Sequence, residues 1–219
     1  MMSMSQKLEE IAEKIHHSFD VCTSERDRAL TQARTLTRHC ANAIRAIHRD
    51  ENTLALEHLA EARQLVQSLR ENLKDLPELF YAGYTQDALK EYAEAALVYA
   101  LINNGEYPSP DDLNLESATY LQGLAEAVGE LRRRCLDMLL KNKSAEAERL
   151  MTKMDDIYAV LVTMDYPDAI TGGLRRLTDI ARGIIERTRG DLTLSLRQSR
   201  LENSLRELES HLDDYNQAE

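Results

Sequence analysis

The sequence predicts an all-α fold, a single-domain bundle of six to seven mostly long helices over residues 1–219. Three observations predict it. The chain holds only 8 Gly and 4 Pro in 219 residues, the first of them Pro77 and Gly83, and nothing breaks a helix over residues 5–49. Aromatic residues make up 5%, with no Trp and 2 Phe, which is too few for the strands of a sandwich or barrel. Apolar residues recur at three- and four-residue steps over long stretches, the period of an amphipathic helix.

The first helix is predicted over 5–49. Ile11, Ile15, Phe19, Cys22, Leu30, Ala33, Leu36, Cys40, Ile44 and Ile47 form its stripe, with a bend expected near Thr23 and Ser24. Asp50-Glu51-Asn52-Thr53 reads as a turn, and a second helix runs over 54–73, closed before Pro77. Residues 77–84 read as a short helical or irregular link. Thr85 is placed to cap a helix that ends near Ile102, where Asn103-Asn104-Gly105 stops it. Ser109-Pro110-Asp111-Asp112 combines an N-cap, a first-position Pro and first-turn acids, and opens a helix expected to reach Leu140. Ser144 is expected to cap the next helix, to about Met164. Asp165-Tyr166-Pro167-Asp168 repeats the start signature for a helix to Arg189, ended by Gly190. A last helix over 191–212 completes the chain, with 1–4 and 213–219 expected to fray.

Charge and cysteines bound the function. Lys and Arg number 27 against 38 Asp and Glu, a net charge of −11. A uniformly acidic surface repels nucleic acid and anionic membranes, so a phosphate-binding role requires arginines gathered on one face. Cys22, Cys40 and Cys135 are odd in number and far apart, which suits reduced thiols rather than a disulfide frame or zinc site. The start MMSMSQKLEE carries charges where a secretion signal needs an apolar stretch, and no run approaches the length of a membrane span. A cytoplasmic protein without membrane contact is the expectation.

Two acidic pairs carry the chemistry. Positions 87, 91, 94, 98, 101 and 102 share one face of a helix that turns apolar all round after Glu94. Glu91 and Glu94 therefore stand where a core residue would continue. A carboxylate there needs a cation or hydrogen bonds, and a salt bridge to a neighbouring helix would serve as well. Glu126 and Glu130 lie four apart on the next long helix, roughly opposite its stripe of Leu121, Leu124, Val128, Leu131, Cys135 and Met138. Alone they read as a solvated face. Two antiparallel helices that each bring a carboxylate pair would build a site for a hard cation, Mg²⁺ or Mn²⁺, suited to phosphodiester hydrolysis. A di-iron site needs two ExxH motifs, and only Glu13-Lys14-Ile15-His16 is present. The all-α nucleoside triphosphate pyrophosphatases pair ExxE with ExxD, whereas the second motif here is one residue longer. Arginines cluster despite the acidic total, at 132–134, between Leu174 and Leu201, and along the first helix as Arg34 and Arg38. They fit either a solvated surface or a phosphate-contacting lining.

At these residues the chain resembles the translin superfamily, most closely its translin-associated factor X branch, as in a single-gene archaeal homologue. Leu89-Lys90-Glu91-Tyr92-Ala93-Glu94-Ala95 resembles that branch's L-Q-E-Y-V-E-A. Tyr120 to Leu131, followed by Arg132-Arg133-Arg134-Cys135, resembles Y-L-L-G-x-x-D-L-T-G-E-L and M-R-M-C. Ile44-Arg45-Ala46-Ile47-His48-Arg49 resembles I-F-L-L-H-R. The resemblance implies a Mg²⁺-dependent endoribonuclease subunit whose catalytic, metal-binding residues are Glu91, Glu94, Glu126 and Glu130. Glu126 stands where the family has Asp, a longer arm that shifts the charge. The resemblance also implies a hollow oligomer, a homo-octamer where no translin-like partner subunit exists. Its interior would hold duplex or single-stranded RNA. The clustered basic residues Arg34, Arg38, Lys90, Arg133 and Arg134, chosen by charge and helical placement, are the expected contacts. An acidic exterior and basic interior would reconcile the net charge with RNA. A non-catalytic RNA- or single-stranded-DNA-binding shell is the alternative from another class.

Overall fold

The structure, a computed structural model, describes residues 4–217. Among them the regular structure is all helix, with α1 (Met4–His48), α2 (Asn52–Asn72), α3 (Pro77–Phe80), α4 (Gly83–Ile102), α5 (Pro110–Leu113), α6 (Ser117–Leu140), α7 (Ser144–Leu161), α8 (Asp168–Thr171) and α9 (Leu174–Gln217). The all-α expectation holds. The helix count is higher because α3, α5 and α8 are single turns.

The residues group into two compact units. The first runs to Ala100 and adds Glu106–Gly123, and the second comprises Leu101–Gly105 and everything from Leu124 onward. In the first unit α1 and α2 form a hairpin. Asp50 takes a left-handed φ of 61° at the turn, and Glu51 N–H donates back to the Ala46 carbonyl at 3.0 Å. Ala33, Leu36, Cys40, Ala43 and Ile47 of α1 are buried, as are Ala55, Ala62, Val66 and Leu69 of α2. The alanines let the two backbones approach. Polar ties cross the same seam. Gln32 Nε2 donates to Ser68 Oγ at 2.9 Å, and the Nδ1 atoms of His39 and His58 lie 3.2 Å apart, rings edge to face.

α1 is one uninterrupted helix through Thr23 and Ser24. The apolar stripe read from sequence divides in two along it. From Ala33 onward it is buried, whereas Ile11, Ile15 and Phe19 are exposed, as is Leu8 ahead of them.

Helix starts follow the sequence less closely. Thr85 lies inside α4, fully buried, and its Oγ1 donates to the Leu79 carbonyl at 2.8 Å, which ties the α3 turn to α4 instead of capping it. The Ser109 capping box forms as read, with Asp112 N–H donating to Ser109 Oγ and Ser109 N–H to Asp112 Oδ2. It opens only one turn, because Asn114 adopts the left-handed conformation at φ 55° and the chain restarts at Ser117. Ser144 is the first helical residue of α7, and Lys143 stands at the N-cap without a side-chain bond.

In the second unit the Pro167 signature likewise yields one turn, closed by Gly172 at φ 60° and Gly173 at φ 85°. The break expected at Gly190 is absent, since α9 runs through it. Ties on both sides hold the helix straight there. Arg189 bonds Asp155 of α7 at 2.6 Å, and Arg132 bonds Asp191 and Thr188 Oγ1, each at 2.9 Å. A glycine costs a helix only about 1 kcal/mol, too little by itself to end one. Arg149 of α7 closes the end of α4, where its guanidinium donates to the carbonyls of Leu101 at 3.0 Å and Ile102 at 3.1 Å. The helix also continues past the expected frayed end, to Gln217; residues 1–3 and 218–219 lie outside the described residues. Cys22, Cys40 and Cys135 are free thiols. Among the described residues no helix is long and apolar enough to cross a membrane.

Candidate metal centre

α4 carries the first two carboxylates. Its C-terminal half is apolar all round, as read, with Ala95, Leu97, Val98 and Leu101 fully buried. Glu91 and Glu94 are half-buried just ahead of that stretch, one turn apart and on one face. Beneath them lies Cys40 of α1, fully buried. Its thiol is pushed up first by burial and then by the negative charges of Glu91 and Glu94. It is an inert core thiol, neither nucleophile nor ligand.

α6 meets α4 at a glycine. A Cβ on Gly123 would lie 2.6 Å from Ala93 Cβ, 2.8 Å from the Lys90 carbonyl oxygen and 2.9 Å from Glu94 N. Only a residue without a side chain permits that approach, and it is made at the turn that bears Glu91 and Glu94. Glu126 follows Gly123 by one turn of the same uninterrupted helix. Glu91, Glu94 and Glu126 each offer a carboxylate oxygen, and these oxygens all lie within 4.8 Å of one another. Among the described residues this is the one group of three or more His, Cys, Asp or Glu side chains that could hold a metal ion. Glu130 is outside it, half-buried, with Arg133 at 3.7 Å.

The donor set suits a hard divalent cation. Three carboxylates supply oxygen only, with no sulfur or imidazole that would favour zinc or copper. Three negative charges this close repel one another at half-buried positions, a cost that a cation removes. Periodicity alone gave Glu126 a solvated face, and Gly123 is the feature that turns it into a third partner. A glycine in the middle of a long amphipathic helix was the available signal.

The expected phosphate contacts divide. Arg34 is exposed and lines a groove of about 480 Å³ with Thr37, Tyr84, Asp87 and Glu91. Arg38 is exposed on the same helix, and Lys90 is half-buried beside Glu91. Arg133 is exposed. Arg134 is only 9% exposed, and its charge helps hold the Glu146 carboxyl below the usual range, behind the larger effect of the Arg149 hydrogen bond. Arg132 is likewise committed, to Asp191 and Thr188. Glu13 and His16 are exposed, without a second ExxH.

Comparisons place these features in a family. No family model matches the chain. An uncharacterized protein of Methanocaldococcus jannaschii is 33% identical over 188 residues, covering 85% of this chain and 83% of its own length. Among solved structures, AfC3PO in complex with duplex RNA is 31% identical with a TM-score of 0.78, covering 89% of this chain and 98% of that one. AfC3PO in a second crystal structure is 30% identical with the same TM-score, covering 89% and 99%. Apo-NeC3PO, at 20% identity and a TM-score of 0.73, covers 89% and 98% and shares the fold. With the long first helix, the ExxE face of α4 and the acidic turn of α6 all present, the chain belongs to the translin superfamily.

Proposed function

We propose that this chain is the subunit of a C3PO-like shell that binds RNA and hydrolyses its phosphodiester backbone with a divalent cation, Mg²⁺ or Mn²⁺. The observation that carries the proposal is the meeting of Glu91, Glu94 and Glu126 within 4.8 Å. AfC3PO, the solved relative, is found with duplex RNA. A bound cation would neutralise phosphoryl oxygens and make an attacking water more acidic. The chain's own residues do the rest. Glu91 and Glu94 hold two oxygens in fixed register on one helical turn, and Glu126 supplies the third. Glu130, one turn on and braced by Arg133, is the fourth carboxylate of the catalytic set. Arg34, Arg38, Lys90 and Arg133 bind and orient the phosphate backbone, and their charges make affinity fall with salt.

Two exposed apolar stripes support the shell. Leu8, Ile11, Ile15 and Phe19 of α1, and Leu194, Leu201, Leu205 and Leu208 of α9, are exposed apolar residues at helical spacing. Stripes of this kind belong to interfaces between subunits. A homo-octamer is the proposed form, and light scattering gives its mass, including any translin-like partner.

The test is cleavage of a labelled RNA by the wild type and by Glu94→Gln, with Mg²⁺ and with a chelator. Wild-type cleavage that needs the metal, and at least 100-fold slower cleavage by the variant with RNA affinity within twofold, is the expected result. Equal cleavage by both proteins would place the chemistry elsewhere. RNA binding without cleavage by the wild type would make the shell a binding protein. Hydrolysis of free nucleoside triphosphates with intact RNA would mark a pyrophosphatase.

A further inference from the structure

The groove beside Glu91 is lined by a tyrosine that the cleavage chemistry leaves unused. Tyr84 lies at the start of α4, and its hydroxyl is buried without a hydrogen-bond partner among the described residues. A buried hydroxyl in that state is costly, and for packing alone Phe would be the better residue. Tyr84 lines a concave space of about 480 Å³, within the range of small-ligand sites and large enough for one nucleotide unit. The rest of the lining sorts by charge. Arg34 offers a cation to a phosphate. Asp87 offers an acceptor and repels a second phosphate, so the group between it and Tyr84 must be an uncharged one able to donate. Thr37 adds a second hydroxyl to the same wall.

A ribose 2′-hydroxyl has this character. It accepts from a phenol O–H and donates to a carboxylate in the same position, whereas a deoxyribose carbon does neither and leaves the phenol unpaired. We propose that the Arg34–Tyr84–Asp87 groove is a ribose subsite, and that Tyr84 is the residue by which the protein tells RNA from DNA. The proposal rests on the reading of the neighbouring carboxylates as the cleavage site, since it places the recognised sugar next to the bond to be cut.

The full-length protein is titrated with an RNA strand and the DNA strand of the same sequence, each paired to the same complement, in the presence of chelator so that nothing is cut. Cleavage of the RNA with Mg²⁺ is measured separately. Wild type should bind RNA tighter than DNA. Tyr84→Phe should weaken RNA binding and lower kcat/KM by about 3- to 10-fold, the worth of one hydrogen bond, and leave DNA binding unchanged. Its denaturation midpoint should equal or exceed the wild-type value, because the hydroxyl has no structural partner to lose. Arg34→Gln should weaken RNA and DNA alike, with a shallower salt dependence. An RNA-to-DNA ratio that is the same in Tyr84→Phe and wild type, or a wild type that does not distinguish the two, overturns the subsite. Failure of the cleavage reading shows separately, as RNA that binds and stays whole with Mg²⁺, while the binding ratio still tests Tyr84.

Discussion

Gly123→Ala isolates the contact on which the metal centre depends. The added methyl would lie 2.6 Å from Ala93 Cβ, 2.8 Å from the Lys90 oxygen and 2.9 Å from Glu94 N. Ordinary carbon contacts are about 3.5–4.0 Å, so the methyl sits roughly 1 Å inside its neighbours. Two of the three are backbone atoms that cannot rotate away, so the helices themselves must part. Overpacking of this kind costs about 1–3 kcal/mol. Replacing a helical glycine returns up to about 1 kcal/mol of propensity. With that return complete, the net loss is up to about 2 kcal/mol, or up to roughly 8 °C in Tm for a chain of this size. Glu126, one turn on, moves with α6. Cation affinity should then fall about 10- to 100-fold, the usual consequence of disturbing groups that orient ligands. Gly129 is the control, because a Cβ there meets nothing within 4 Å. Gly129→Ala should be neutral or stabilising by up to about 1 kcal/mol, with cation affinity unchanged. Thermal unfolding at one fixed protein concentration, with and without Mn²⁺, and Mn²⁺ binding followed by electron paramagnetic resonance, read both effects. A Gly123→Ala protein that matches Gly129→Ala in stability and in Mn²⁺ affinity would refute the close approach.

The thiols set a pH limit. Burial leads in raising Cys40, and in pushing Cys135 up to about 11. Raised folded values make the unfolded thiols ionise first, so their contribution is complete below about pH 8.5 and is lost as pH rises toward the folded values. The denaturation midpoint should hold steady between pH 6 and 8 and fall above about 9, and a flat profile to pH 10.5 contradicts it. Gly190→Ala should stabilise by about 0.5–1 kcal/mol, since the residue is helical and its Cβ would meet nothing within 4 Å; destabilisation in a urea melt would restore the helix break read from sequence. Arg133→Ala should weaken RNA binding and flatten its salt dependence by about one unit of slope, with the oligomer mass unchanged. Unaltered affinity would leave Arg133 as the ion-pair partner of Glu130 at 3.7 Å, a contact worth little when exposed.

What the sequence made legible was local. The period of Leu36, Cys40, Ile44 and Ile47 marked a buried face because neighbours three and four apart share a side of any helix. The ExxE of α4 stood out for the same reason, as polar residues interrupting an apolar stripe. Helix ends were less legible, because the same residue types can stop a helix or sit within one. Asn114 ends the α5 turn by adopting a left-handed φ of 55°, whereas Gly190, with greater freedom to do so, stays helical between the Arg189–Asp155 and Arg132–Asp191 ties. Those ties join residues 34 and 59 positions apart, which no local pattern contains. The metal centre lies between the two cases. Its carboxylate spacing was local and readable, but Glu126 reads as solvent-facing until Gly123 admits α6 to the backbone of α4. The position that decides whether the acidic motifs form one site therefore carries no chemistry itself, and a search for ligands alone passes over it.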